Sequence, residues 1–325
     1  MSWGAGTRRL AALEIAAVNQ GQFPITLVDE VERGLEPYRQ RMLMMRLRDK
    51  CSQVFLTTHS AAALSAAEGA AIWHMGNKNN IGRLPESVSP HIRNDPEAFL
   101  ARLTIVAEGL TEVGFVGYLL EKAIEGDICE QGIWITNGDG NASSLKLLKG
   151  VAGSGIQFGG FVDNEGSSTN EWKELESQLG ELLFRWEQGC LEENVIRLVP
   201  SERLEEFIKD TDGTSGIRLR TLAERLGVTD KDFGKLKASC ADLGTVIIDA
   251  AIGRIPASLA NPTRGEKKAF KKHAESWFKS IEGGRELAEK VFVFGLWPKL
   301  KKQLLPFVNA VRTHVKLGTI SDLTS

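Results

Sequence analysis

At 325 residues, with 42% hydrophobic and 25% charged residues, the chain is long enough for two or three domains and has an ordinary globular composition. Its formal net charge of −2 excludes the whole-molecule basicity that would by itself announce a nucleic-acid partner. The four cysteines (Cys51, Cys129, Cys190 and Cys240) have no CxxC spacing, which argues against a structural zinc site and a disulfide framework and for a reducing compartment. With no signal peptide and no apolar run of about 18 residues, the expectation is a cytoplasmic protein without a membrane partner.

In chain order, a helical pattern over 7–19 precedes an apolar strand run over 25–28. A helix is expected over 38–50 and a second strand over 53–57, and the Gly-, Asn-, Pro- and Ser-rich stretch 77–95 reads as an irregular domain boundary. From Leu103 the rhythm becomes strand, helix, strand, helix. Strands are expected at 103–107, 133–136, 158–162 and 195–199, and helices at 111–123, 143–148, 170–187 and 201–208. Such alternation predicts an α/β fold with a mainly parallel sheet flanked by helices. Beyond Asp210 the strands stop, and 217–226, 230–238, 266–280 and 285–296 read as a C-terminal helical subdomain. The division expected is therefore 1–95, 96–209 and 210–325. Two basic clusters, Lys267, Lys268, Lys271 and Lys272, and Lys299, Lys301 and Lys302, read first as solvated helix faces and only second as phosphate contacts.

The run Ile25-Thr26-Leu27-Val28-Asp29-Glu30 is a strand that delivers two carboxylates at its end. In a nucleotide site of the Walker B kind, Asp29 would hold Mg²⁺ through water and Glu30 would polarise the attacking water. A strand ending in a solvated acidic turn would look the same. Four elements in order carry more weight. Ser2-Trp3-Gly4-Ala5-Gly6-Thr7 resembles a degenerate ABC signature, Glu32 to Pro37 resembles a D-loop, and Thr58-His59-Ser60 resembles the switch-histidine segment of ABC ATPases, with His59 as the switch. No G-x-x-x-x-G-K-[ST] occurs anywhere in the chain. ATP is thus expected as a ligand only if a missing Walker A half is supplied, and the chain is expected to be the C-terminal part of a longer protein. With half of the nucleotide site absent, homodimerisation through this part stays open.

A second constellation is acidic. Glu108 ends the strand run 103–107 and Glu112 follows one helical turn later, at the edge of the sheet where α/β ligand sites lie. Asp163 and Glu165 end the run 158–162 at alternate positions, so both side chains can face one cation. Hard oxygen ligands of this type suit Mg²⁺ or Mn²⁺. A glutamate followed by an Asp-x-Asp-type pair at strand ends, with Asn137-Gly138-Asp139-Gly140 as the intervening glycine turn, looks like the Toprim domain of topoisomerases, primases and OLD-family nucleases. Glu165 departs from that pattern by one methylene.

An ABC-type ATPase half running into such a domain resembles the OLD (overcoming lysogenization defect) nucleases. That resemblance implies a further glutamate after a later strand, aligned here with Glu205 in Leu204-Glu205-Glu206-Phe207, with Ser201 as a helper. It also implies a lysine from the helical part, aligned with Lys290, with Lys271 and Lys272 as alternatives. Two Mg²⁺ or Mn²⁺ ions are implied, held by Glu108, Asp163 and Glu165 and completed by Glu112, Ser201 and Glu205, with Lys290 neutralising phosphate charge. Water is the expected nucleophile, because Tyr38 and Tyr118 stand in no topoisomerase-like context. The expected activity is a DNA endonuclease or nickase, with a role in phage defence implied by resemblance alone. The alternatives are a non-catalytic, ATPase-linked nucleic-acid clamp, or another Toprim enzyme such as a primase or RNA-processing nuclease.

Overall fold

The computed structural model describes residues 6, 8, 11, 12, 25–50, 53–76, 81–209, 215–256, 259 and 261–323. The signature-like segment and the helix expected over 7–19 lie almost wholly outside them. The chain divides into two compact units, residues 1–104 with 149–157 and residues 105–148 with 158–325.

In the first unit, β1 (Thr26–Val28) and β2 (Val54–Leu56) pair in parallel, with Thr26 opposite Val54. Helix α1 (Pro37–Lys50) connects them and buries Leu43, Met44 and Leu47 against Val28, Val31 and Leu35. Helix α2 (Ala61–Ser65) starts at Ser60, whose hydroxyl accepts from the Ala63 amide. The hairpin of β3 (Trp73–Met75) and β4 (Ile81–Arg83) is antiparallel. The stretch 77–95 therefore is not irregular throughout: it contains β4 and helix α3 (Ser89–Asn94). Its Pro90 stands in the first turn of α3, where the missing N–H would have had no helical partner.

A four-stranded parallel sheet has the order β6-β5-β7-β8. Its strands are β5 (Leu103–Ala107), β6 (Ile133–Asn137), β7 (Phe158–Val162) and β8 (Leu183–Arg185). Every residue of β5 and β7 is buried, as central strands covered on both faces require. Helices α4 (Leu110–Ile124), α5 (Asn141–Val151) and α6 (Thr169–Leu179) connect the strands in turn.

Two expectations fail here. The helix expected over 170–187 stops at Leu179, where Gly180 takes φ +55°, and the remaining residues supply the edge strand β8. Phe184 of that strand stacks on Phe161 with centroids 4.7 Å apart, and Trp186 meets Phe184 edge-on at 4.9 Å. The strand expected at 195–199 is instead the end of helix α7 (Leu191–Ile196) and the turn that follows it, because a short apolar run reads alike for a buried strand and a buried helix face.

The remaining helices are α8 (Leu204–Phe207), α9 (Gly216–Leu226), α10 (Phe233–Ala238), α11 (Leu243–Ala251), α12 (Arg264–His273), α13 (Ile281–Val293) and α14 (Trp297–His314). Sequence periodicity had not resolved α11 and α14. Helix α13 crosses α4 through reciprocal glycines. A Cβ on Gly284 would lie 2.0 Å from the Thr111 carbonyl oxygen, and one on Gly114 would lie 1.9 Å from that of Ile281. Arg285 forks onto Glu121 across the same contact at 2.8 and 2.6 Å. Gly284→Ala is expected to destabilise the chain by about 1–3 kcal/mol, because backbone rather than a yielding side chain would have to move. Urea unfolding checks this against Gly126→Ala, where nothing lies within 4 Å and the midpoint should hold.

Candidate metal centre

Parallel strands end together, so the residue after each strand comes to one rim of the sheet. Glu108 follows β5, and its amide continues the ladder by donating to the Phe161 carbonyl at 3.0 Å. Asp163 follows β7, and its amide donates to Glu108 Oε2 at 3.0 Å. The same oxygen accepts from Asn141 Nδ2 at 2.8 Å, and Asn141 is itself held by Trp172 Nε1 at 3.2 Å. Glu108 is thus fixed through one oxygen. Glu112, in the first turn of α4, lies beside it.

The loop after β8 is brought to the same rim by a backbone bridge. Asn164 and Gly189 exchange amide–carbonyl hydrogen bonds of 2.9 and 3.0 Å. Gly189 adopts φ +74°, and a Cβ there would lie 2.6 Å from Glu193 Oε2. Beyond the bridge, the Leu191 amide donates to Asp163 Oδ1 at 3.0 Å. Donor atoms of Asp163, Cys190 and Glu192 then all lie within 4.8 Å of one another. From the helical region Lys279 adds an ammonium 2.7 Å from Glu192 Oε1. Glu108, Glu112, Asp163, Glu165, Cys190 and Lys279 line an open cleft of about 710 Å³, with the exposed Glu165 at its rim.

The electrostatics are those of crowded acids. Burial, then the neighbouring Glu192 carboxylate, pushes the Glu112 carboxyl up to about 7. Burial together with Glu112, Glu192 and Glu108 drives Asp163 well above the ordinary carboxylate range. Burial also raises Glu108, against the hydrogen bonds from Asn141 and the Asp163 amide. At Lys279 burial opposes the charge, yet the Glu192 and Glu112 carboxylates outweigh it and hold the ammonium above its usual value. Two deeply buried oxygens, Glu112 Oε1 and Glu192 Oε2, have no hydrogen-bond partner. An ionised, unpartnered oxygen in such a place is costly, and a divalent cation between these groups would satisfy it. Carboxylates of this density fit Mg²⁺ or Mn²⁺.

Of the residues expected at this centre, Glu108, Glu112, Asp163 and Glu165 come together. The other three lie elsewhere. Lys290 donates to the carbonyls of Phe207 and Lys209 at 2.7 and 2.5 Å and pairs with Glu286 at 3.1 Å, joining α13 to the end of α8. Glu205 is exposed on α8, and Ser201 is exposed with its carbonyl facing Lys237 Nζ at 3.3 Å. The difference comes from the edge strand: β8 lies inside the stretch whose sequence reads as one helix over 170–187, which shifts the expected acid-bearing loop one segment later. Lys271 and Lys272 are exposed on α12 and line no part of the cleft. Glu192, Cys190 and Lys279 were missed, as was Asn141. The spacing of Cys190 and Glu192, two residues apart just past an aromatic strand, repeats that of Asp163 and Glu165 and was the available signal.

In the first unit, Asp29 and Glu30 follow β1. The Thr57 hydroxyl donates to Asp29 Oδ1 at 2.6 Å and accepts from the Glu30 amide at 2.8 Å. Glu32 accepts from the Thr58 hydroxyl at 2.7 Å and from the His59 amide at 2.8 Å. Partial burial opposes ionisation of Glu32, but these bonds outweigh it and lower its pKa. The acidic strand end and the histidine segment are thereby stitched into one loop cluster.

Residues 3–65 match a family model described as AAA domain, putative AbiEii toxin, type IV TA system. This stretch is therefore similar to an AAA-type ATPase domain. No curated protein matches the chain. No helix among the described residues is long and apolar enough to cross a membrane.

The pKa directions fix a sign. A carboxyl raised in the folded chain favours folding while it keeps its proton, so the Glu112 contribution is complete below 4.5 and is lost as pH rises through about 7. Without divalent cations the melting temperature is expected to fall over that window, and Glu112→Gln should flatten the fall. Mg²⁺ or Mn²⁺ should raise the melting temperature more at pH 8 than at pH 5, as followed by scanning fluorimetry.

Proposed function

We propose that the cleft is the active centre of a divalent-metal-dependent nuclease that hydrolyses DNA phosphodiesters. The observation carrying this reading is the convergence of Glu108, Glu112, Asp163 and Glu192 at one sheet rim, with two buried carboxylate oxygens left unpartnered. In this reading Glu108, Asp163 and Glu165 would hold one ion, and Glu112, Glu192 and Asp163 would hold a second. The ions would supply charge neutralisation and a more acidic bound water. Asn141 and the Asp163 amide keep Glu108 oriented. Lys279 takes the role that the resemblance had given to Lys290, offering positive charge beside a bound phosphate. The order of acids along the strands and the ATPase-like stretch at 3–65 support a Toprim-type domain in an OLD-type nuclease.

The first unit supports a nucleotide-linked role that needs further chain. Leu27 and Phe55 project from the two-stranded parallel sheet at 75% and 54% exposure. Parallel sheets are normally covered on both faces, so further strands and helices of an ATPase would bury these side chains. DNA and an ATPase-completing segment are thus the proposed partners, with ATP bound only in the completed site.

Supercoiled plasmid incubated with the chain and Mn²⁺ or Mg²⁺ is expected to be nicked or linearised. Asp163→Asn, Glu108→Gln and Glu192→Gln should each lose about 100-fold or more, while Glu205→Gln and Lys290→Gln, if folded, should not. Equal residual cutting by the first three variants would assign the activity to a contaminant. Plasmid binding with no cleavage under either cation would favour the clamp.

A further inference from the structure

We infer that the inner part of the cleft is a mixed oxygen–sulfur site that takes a thiophilic divalent cation, of the Zn²⁺ or Co²⁺ kind, in preference to Mg²⁺. This rests on the cleft being a metal centre and goes beyond the oxygen ligands assigned above. Cys190 is a free, half-buried cysteine, and it is the sulfur of the group in which donor atoms of Asp163, Cys190 and Glu192 lie within 4.8 Å of one another. Donors around one tetrahedral ion sit roughly 3.5 Å apart, so a contraction of about an ångström would seat it.

Each oxygen donor is already held for such a role. Glu192 is fully buried; its Oε1 is taken by Lys279 at 2.7 Å, while its Oε2 is buried with no partner. Asp163 is fixed through Oδ1 by the Leu191 amide. The thiol makes no capping hydrogen bond at the start of α7. A thiolate binds Zn²⁺-class ions strongly and Mg²⁺ poorly, whereas carboxylates accept both. Glu108 and the exposed Glu165 offer oxygen alone, so the two donor groups of the cleft differ in the cation they favour. Binding at the inner end releases the thiol proton to solvent.

Titrating the full chain with Co²⁺ is expected to develop a saturable thiolate-to-cobalt charge-transfer band in the near ultraviolet. The band should vanish in Cys190→Ser and persist in Cys129→Ser. By calorimetry, Zn²⁺ affinity should drop at least about tenfold in Cys190→Ser, with Mg²⁺ affinity changed less than about twofold. Circular dichroism establishes that the variant is folded, and Cys190→Ala gives a second test of the band. Absence of the band, or its persistence in both Cys190 variants, overturns the inference. If plasmid nicking with Mn²⁺ survives that result, the nuclease reading stands without it. A Cys190-dependent band with no nicking under any cation retires the nuclease and leaves the metal site.

Discussion

Repulsion among carboxylates at one rim of a parallel sheet governs this part of the molecule. Two like charges 4 Å apart cost about 4 kcal/mol in a protein-surface environment, and more where water is excluded. Glu112, Asp163 and Glu192 are gathered where little water reaches, with Lys279 beside them as a counter-charge. The cluster therefore persists in one of two ways: some acids keep protons, as the raised Glu112 and Asp163 pKa values express, or cations take their place. Nothing in core packing favours such an arrangement, since a hydrophobic replacement would be at least as stable. Acids held together against their own repulsion are what a functional centre leaves in a fold.

The rim exists because several weak local devices agree. The Asn164–Gly189 bridge draws the loop after β8 against the one after β7. The Gly114–Gly284 crossing lets α13 approach α4 closely enough for the preceding turn to carry Lys279 over Glu192. Thr111 joins the two, its hydroxyl lying 3.0 Å from the Phe278 carbonyl and 3.3 Å from Glu192 Oε1. The C-terminal helices thus belong to the centre rather than decorating it, and residues 105–148 and 158–325 form one compact unit.

Much of this was legible in the sequence, and for local reasons. Glu108 and Asp163 each end a strand whose residues are all apolar or small, and such runs declare themselves. The α/β alternation rests on the same signal. Glu192 was hidden because β8 is only three residues long and is separated from a polar helix by a single 3-10 turn, so periodicity gave it no separate mark. Lys279 sits in a short turn before α13, and what brings it to the cleft is a glycine contact between helices far apart in sequence. Lys290 lies on α13 itself, well past the turn that carries Lys279, and its ammonium faces the Phe207 and Lys209 carbonyls instead of the cleft. Side-chain direction on a helix is set by tertiary packing, which one sequence does not display.

The same charge argument orders the events that the proposed chemistry would require. A net acidic rim repels the phosphates of a nucleic acid, so a substrate backbone gains nothing by entering the cleft until cations have occupied it. Lys279 does not remove that barrier, because its ammonium is already engaged with Glu192. The exposed lysines of α12 cannot remove it either, since they line no part of the cleft. In the proposed chemistry cation binding would then precede productive phosphate binding at this rim, and that order would set a metal-loaded hydrolase apart from a clamp. A clamp that held nucleic acid here without cations would be working against its own field.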